Sequence, residues 1–378
     1  MASSQISDPA TYLASTLHSV AALSFVPVAV HFNLFYHLVA VGPVATAQAL
    51  ADSYNASSSD GKPKSPLSVR LAEDTMYAMS SLRFVDYVDT DAGDTFRVNA
   101  VTQHIVNTPS VVHGMNHFTI DPYWSGAFLM RKLQASNFTE YPFQENQTPS
   151  QFGYAAVGEQ EYANEHTYGI IAKQGRMESF NLFMEGKFGK FGSSMPARIK
   201  SFGYDLDGLL SGAEVNGIVM VDIGGGRGEQ LIELHQAYPQ LTSSQLVLQE
   251  YQVDLSLDET APFSMNAWDY KSSDDQPIRG ARAYNLSHIY HNLSDELALS
   301  LMKKVSNAMR PEYSRMLIQE FSRNANYGKM HAAMITLYAG RTRSRLQWKD
   351  MAAACGLKVT FEKYPDLGEG LIEMMKVK

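Results

Sequence analysis

Residues 219–230 read Val-Met-Val-Asp-Ile-Gly-Gly-Gly-Arg-Gly-Glu-Gln and carry the first chemical signal of the chain. An apolar, β-branched run ends at Asp222. Gly224, Gly226 and Gly228 follow at alternate positions with Gly225 between the first two, and Leu231, Ile232 and Leu234 then recur at helical spacing. Strand, tight turn and helix in that order open a nucleotide-type binding site, because glycine permits both the dihedrals of the turn and a close approach of backbone to ligand. The dinucleotide pattern would place another glycine at 229, where this chain has Glu229. A carboxylate sits badly against a pyrophosphate, so the spacing favours an adenosine ligand without phosphates over NAD or FAD. Downstream, Gln245-Leu246-Val247-Leu248-Gln249-Glu250 predicts a second strand ending in an acid, at about the distance expected of a ribose-binding carboxylate.

These residues need a sheet to hold them. From Val215 onward strands are predicted at 219–223, 246–250, 283–286, 315–319, 357–362 and 371–376, with helices from Glu229, over 295–309 and over 346–355. The alternation specifies an α/β fold, a Rossmann-like doubly wound and mostly parallel sheet covered on both faces. Ligands then bind beyond the carboxyl ends of the strands, where Asp222, Glu250, Asp269, His288 and His291 all fall.

The chain has 378 residues, 45% of them hydrophobic, enough for two domains and a sizeable core. A net charge of -8 without a basic cluster argues against a nucleic-acid partner. The single cysteine, Cys355, excludes an internal disulfide framework and a cysteine-rich metal site, so no metal is expected and a cytoplasmic location is. The apolar run 20–30 contains Pro27 and is too short to span a bilayer, so no membrane partner is expected.

Residues 9–51 read as mostly helical with a break or kink at Pro27, and Tyr12, Leu13, Leu17, Val20 and Leu23 put apolar side chains on more than one face. Such a helix wants a partner on two sides, which in a small domain means a second chain. A polar loop is expected over 54–68, a helix over 71–82 and a hairpin over 83–98, together a winged-helix-like pattern. The expected division is a dimerisation domain over 1–110 and a catalytic domain over 111–378, the latter split into a helical pocket segment, 111–202, and a Rossmann-like core, 203–378. Residues 111–202 are crowded with aromatics and methionine, including Trp124, Phe180, Phe183, Met184, Phe188 and Phe191. Most belong to the core by their helical spacing. His117 admits two readings, a core histidine bonded to backbone or a donor to a substrate oxygen.

The glycine segment resembles motif I of the S-adenosylmethionine-dependent O-methyltransferases of the large dimeric class that includes plant caffeate and fungal secondary-metabolite enzymes. Gln249-Glu250 is similar to that family's Gln-Asp at the ribose, and Met265-Asn266-Ala267-Trp268-Asp269-Tyr270 to the segment flanking adenine. The stretch from Gln276 to Tyr284 is similar to the lead into the next strand, and His291-Asn292-Leu293-Ser294-Asp295-Glu296 to His-Asp-Trp-Ser-Asp-Glu. The resemblance implies S-adenosylmethionine as cofactor, bound by Asp222, Gly224, Gly225, Gly226, Gly228, Glu250, Asp269, Tyr270 and Ser287. It implies His291 as catalytic base and Glu320 as the carboxylate that orients it. It also implies a homodimer and a pocket for a flat or polycyclic apolar substrate, to which His117, Trp124, Phe180, Phe183, Met184, His288, His331 and Met334 are the candidates.

Methyl transfer from a sulfonium asks the protein to align the acceptor and remove its proton, tasks that suit a histidine backed by a carboxylate. Several positions depart from the resemblance. Asn292 and Leu293 replace Asp and Trp, Ser287 replaces a basic residue, and Thr342 stands where plant members have a second carboxylate. The alternative is a pericyclase of the same fold, catalysing dehydration, hetero-Diels-Alder or Alder-ene chemistry without transferring the methyl group, with His117, His288, His291 and His331 as polarising donors.

Overall fold

Pro9 and Pro27 each stand in the first turn of a helix, where the missing N–H is not needed. The expected kinked helix over 9–51 is therefore a series: α1 (Pro9–Leu23), α2 (Val26–His31), α3 (Leu34–Val41), a short strand β1 (Val44–Thr46) and α4 (Ala47–Ala56). The computed structural model describes residues 8–57, 65–90, 93–186, 193–251 and 260–377. Residues 58–64 of the loop expected over 54–68 fall outside these residues, and its first part is the end of α4. α5 (Val69–Ser81) is capped by the Ser68 side chain, and the predicted hairpin is β2 (Asp86–Thr90) with β3 (Gly93–Arg97). β1 joins it as a third antiparallel strand in the order β1-β3-β2. α6 (Ala100–Asn107) starts at a capping box in which Asn99 and Thr102 satisfy each other's first-turn donors.

The helices α2–α5 close one core with Leu34, Phe35, Leu38, Leu50, Met76 and Met79, all fully buried. Each such side chain contributes roughly 1.5–3 kcal/mol. α1 behaves differently. It buries no residue, and Tyr12, Leu13, Leu17 and Val20 are each more than half exposed.

Further on come α7 (Pro109–Ala135), which carries Pro122 inside it, α8 (Pro149–Val157), α9 (Thr167–Lys173) and α10 (Met177–Gly186). Phe188 and Phe191 lie outside the described residues. The chain forms two compact units, Met1–Tyr123 with Ile171–Lys190, and Trp124–Ile170 with Phe191–Lys378. The boundary expected at 110 is thus displaced: residue 110 lies inside the continuous helix α7, and Ile171–Lys190 group with the N-terminal unit.

The second unit contains α11 (Met195–Ser201), α12 (Leu206–Ser211) and a seven-stranded sheet. Its strands are β4 (Met220–Ile223), β5 (Leu246–Glu250), β6 (Ser264–Ala267), β7 (Ala283–Ser287), β8 (Arg315–Phe321), β9 (Leu357–Lys363) and β10 (Glu369–Lys376), in the spatial order β6-β5-β4-β7-β8-β10-β9. β4 to β8 pair in parallel, while β10 runs antiparallel to both neighbours. The interleaved helices are α13 (Glu229–Ala237), α14 (Asp295–Ala308), α15 (Gly328–Tyr338) and α16 (Arg345–Ala354). Every residue of β4 is buried, as expected of a central strand covered on both faces. Among the described residues no helix is long and apolar enough to cross a membrane.

Candidate active site

The turn after β4 bears out the glycine spacing. Gly224, Gly226 and Gly228 have φ of 67°, 64° and 82°, the left-handed region that side chains disfavour. Gly225 is required by space instead, since a Cβ there would lie 2.3 Å from Asp222 Oδ2. The Gly226 N–H donates to Glu250 Oε1 at 2.5 Å, which ties the end of β5 to the turn.

Beneath the turn, Asp222 is buried. Its Oδ1 accepts from Asn285 Nδ2 at 2.7 Å, while Oδ2 has no hydrogen-bond partner among the described residues. Burial, opposed by the Asn285 bond and reinforced by Glu250 and Glu229, pushes its carboxyl up to about 7. Burial likewise raises Glu250. An orphaned carboxylate oxygen beside a bare glycine backbone fits a ligand that brings a cationic group and no phosphate, as S-adenosylmethionine does.

The floor is locked by amides. Asn285 donates also to Gln230 Oε1 at 2.9 Å, and Gln319 Nε2 donates to Gln230 Oε1 and Asn285 Oδ1, both at 2.8 Å. Ser287, predicted to touch cofactor, accepts from Gln230 Nε2 at 2.7 Å and so fixes α13 against β7. At the far side of β5, Gln249 and Gln276 pair reciprocally at 2.8 and 2.9 Å.

Asp269 and Tyr270 follow β6. Asp269 Oδ1 accepts the Lys271 N–H at 2.8 Å, and half-buried Tyr270 is held through its carbonyl by Lys304 at 3.0 Å. Beside them Lys271 pairs with Glu145, which His166 Nε2 also meets at 3.1 Å. Burial alone would raise the Glu145 carboxyl, yet the His166 and Lys271 bonds hold it down to about 2. Neither Glu145 nor His166 was expected here. They lie far from Lys271 in sequence and belong to no motif.

The base position is built at the end of β7. His291 lies in a single 3-10 turn, Tyr290–Asn292, and is buried. Glu320, on β8, accepts from the His291 backbone N–H at 3.1 Å and meets its Nδ1 at 2.7 Å. Burial pushes the Glu320 carboxyl up, but His291 and, more weakly, His288 outweigh it and hold it below the usual range. The predicted pair is therefore assembled. The turn is seated on Gly340, where a Cβ would lie 2.2 Å from the His291 carbonyl oxygen. Arg343, buried, secures the same turn by donating to the Tyr290 and Leu293 carbonyls at 2.7 and 3.0 Å. Asn292, where the resemblance implies Asp, donates to the Tyr168 hydroxyl at 3.0 Å.

His288 stands three residues before the base with φ of 59°, left-handed for a non-glycine residue. Its Nε2 bonds Glu369, the first residue of β10, and Arg198 of α11 reaches the other Glu369 oxygen at 3.0 Å. Neither Glu369 nor Arg198 was expected from sequence. One donor atom each of His288, His291 and Glu320 lies within 4.8 Å of the others. Within this group His291 Nδ1 bonds Glu320, while His288 Nε2 bonds Glu369 outside it.

The other pocket candidates fall in two groups. His117, Phe180, Phe183 and Met184 belong to the first unit, where His117 Nδ1 meets Asp121 Oδ2 at 2.9 Å and its ring lies 5.0 and 6.0 Å from those of Phe180 and Phe183. Its partner is thus a buried carboxylate, itself bound by Arg176 at 2.6 and 2.9 Å, and not the backbone. Met184 is partly exposed. Trp124, His331 and Met334 belong to the second unit. Trp124 donates to the Ser150 carbonyl at 3.3 Å and packs on Phe128 and Tyr154. His331 Nδ1 is bonded by the Thr342 hydroxyl at 2.9 Å, and burial with Arg323 and Arg341 nearby lowers its basicity. Met334 packs with Ala333, Leu337 and Tyr338.

A family profile for O-methyltransferase domains matches residues 192–358. The O-methyltransferase bfoE of Aspergillus brasiliensis is 46% identical over 365 residues, 96% of this chain and 95% of that protein. The O-methyltransferase aunE of Aspergillus niger is 43% identical over 375 residues, again 96% and 95%. Among solved structures, LepI in complex with SAM and a structure described as a pericyclic reaction enzyme each superpose with a TM-score of 0.75 at 18% identity, over 99% of this chain and 90% of theirs. Those likenesses show a common fold. The full-length relatives, together with the glycine turn over Asp222 and the assembled His291–Glu320 pair, establish that the chain belongs to the O-methyltransferase family.

Proposed function

We propose that the protein transfers the methyl group of S-adenosylmethionine to a hydroxyl of an aromatic or polyketide-type secondary metabolite, with His291 as general base. The observation that carries the reading is the Glu320 carboxylate on His291 Nδ1 at 2.7 Å. Holding the proton on Nδ1 leaves the Nε2 lone pair to take a proton from the acceptor, and the buried carboxylate stabilises the imidazolium that forms. Bound S-adenosylmethionine supplies a methyl group on a positively charged sulfur leaving group. Asp222 and the glycine turn would hold its cationic end, Glu250 its ribose hydroxyls, and Asp269 and Tyr270 its adenine. The pericyclic alternative is supported by shared fold at 18% identity, whereas relatives at 43% and 46% are O-methyltransferases.

The reading extends to a cytoplasmic homodimer. The exposed apolar side of α1 supports a second chain as its cover, and the lone buried Cys355 suits a reducing compartment. Incubation of purified protein with candidate hydroxylated polyketides and methyl-labelled S-adenosylmethionine tests the activity. Label in a product heavier by one methylene is expected; an isomerised or dehydrated product without label would overturn methyl transfer.

A further inference from the structure

Helix α7 carries a polar stripe that the packing of the first unit does not call for. His113, His117 and Asp121 recur every four residues on one face of it, toward α10 and the turn before α10. His113 Nδ1 meets Ser179 Oγ at 2.8 Å, and Arg176 donates to both oxygens of Asp121 at 2.6 and 2.9 Å. Around His117 the neighbours are aromatic. The ring centroids of Phe118 and Phe180 lie edge-on at 5.0 Å, and that of Phe183 is stacked at 6.0 Å. Apolar residues of similar volume stabilise such a place as well as a buried ion pair does or better, so stability alone does not account for the stripe.

One atom of the stripe is left over. Asp121 is buried, and burial alone would raise its carboxyl, yet the Arg176 and His117 bonds hold it below the usual range. An ionised carboxylate only accepts, so the His117 Nδ1 carries a proton and donates it to Asp121. Arg176 balances the charge of Asp121, and an unprotonated ring leaves the stripe neutral. His117 Nε2 then offers a lone pair. It has no hydrogen-bond partner among the described residues, although only 6% of the side chain is exposed. A polar atom so placed has lost most of its water, and a ligand that brings a donor restores the bond. To lie against Phe118, Phe180 and Phe183 the donor must sit on a flat apolar body, which describes a hydroxyl on an aromatic ring.

We propose that His117, held by Asp121 and Arg176, anchors an aromatic-ligand site within the first unit and accepts a hydrogen bond from a phenolic hydroxyl of the ligand through Nε2. The donor role expected of this histidine is thereby reversed, because the ionised Asp121 claims the ring proton on the other side. The inference rests on the aromatic, hydroxylated class of ligand in the reading above and not on methyl transfer to it.

The test is calorimetric titration of the full chain with 1-naphthol and with 1-methoxynaphthalene, which has the same rings without the donor, and with S-adenosylhomocysteine alongside. The wild type should bind 1-naphthol about three- to tenfold more tightly than the ether, the worth of one hydrogen bond. In His117→Phe the two probes should bind alike while S-adenosylhomocysteine affinity is unchanged, and His117→Gln, whose amide oxygen can accept, should keep part of the preference. No binding of 1-naphthol, equal binding of the two probes by the wild type, or a preference that survives in His117→Phe overturns the proposal. A nitrogen-15 histidine spectrum reads the wild type directly. 1-Naphthol should move one ring-nitrogen signal that is missing from the spectrum of His117→Phe, and the ether should not; a signal that stays in place overturns the proposal. Failure to transfer label defeats methyl transfer as the reaction, whereas these titrations still decide whether His117 holds a phenolic hydroxyl.

Discussion

Glu320 holds His291 at two points, accepting its backbone N–H at 3.1 Å and meeting its Nδ1 at 2.7 Å. One carboxylate thus fixes both the place of the turn and the tautomer of the ring. His291→Ala should lower kcat by roughly 10²–10⁴-fold while S-adenosylhomocysteine affinity stays within a few-fold. Glu320→Gln should lower kcat by at least about tenfold, because an amide can present its donor to Nδ1 and favour the wrong tautomer. Steady-state kinetics with a binding titration checks both, and retained turnover in His291→Ala would remove the residue from the mechanism.

Asp222 gives the protein a titration near neutrality. Its folded-state carboxyl is pushed up from 3.8 to about 7 by burial. Its contribution to stability is then fully present below about pH 4 and is lost as pH rises through about 7, because the folded state binds the extra proton over that window. A cationic ligand group beside Oδ2 favours the ionised form. Below about pH 7 cofactor binding should release a proton, its affinity should rise with pH up to about 7 and level off above it, and Asp222→Asn should abolish that slope. Calorimetry in buffers of different ionisation enthalpy counts the proton.

The glycines of the turn should separate by what surrounds them. At Gly228 a Cβ would lie 2.4 Å from Phe263, whereas at Gly226 the nearest atom is Glu229 Oε2 at 3.7 Å. Gly228→Ala therefore combines left-handed strain with overpacking and should cost about 2–4 kcal/mol in denaturant unfolding. Gly226→Ala should cost about 1–2 kcal/mol, from strain alone, and show its main effect as weaker cofactor binding. Equal unfolding costs would contradict this assignment.

The exposed side of α1 predicts a change of assembly. Leu13 and Leu17 are 58% and 62% exposed on a helix that buries nothing. If the proposed homodimer is covered here, Leu13→Asp with Leu17→Asp should yield a monomer in light-scattering chromatography where the unmodified protein runs as a dimer, without loss of helical signal. A variant that remains dimeric would place the interface elsewhere.

Sequence spacing revealed what backbone geometry dictates locally. Alternate glycines meant alternate positive φ, and the apolar runs meant strands at nearly the predicted bounds. Contributions from distant elements left no such trace. Arg198 sits on a short helix with no motif, and Glu145 and His166 meet Lys271 only through the fold. β6 was missed because an edge strand of four part-exposed residues shows no periodicity. α15 was missed because it lacks a side-chain cap to announce its start. Glu369 went unseen for a reason of direction. In the parallel strands the residues at the ligand edge come last, but in the reversed strand β10 the first residue stands there.

That reversed strand also orders assembly in time. β10 lies between β8 and β9, both of which precede it in the chain, so β9 has no edge to join until β10 has emerged from the ribosome. The parallel half, with the glycine turn and Asp222, can form around β4 to β8 while synthesis continues. The clamp on His288 cannot, since Glu369 arrives with the inserting strand. A nascent chain therefore acquires its adenosine-type floor before its completed pair of histidines, and the chemistry is assembled last.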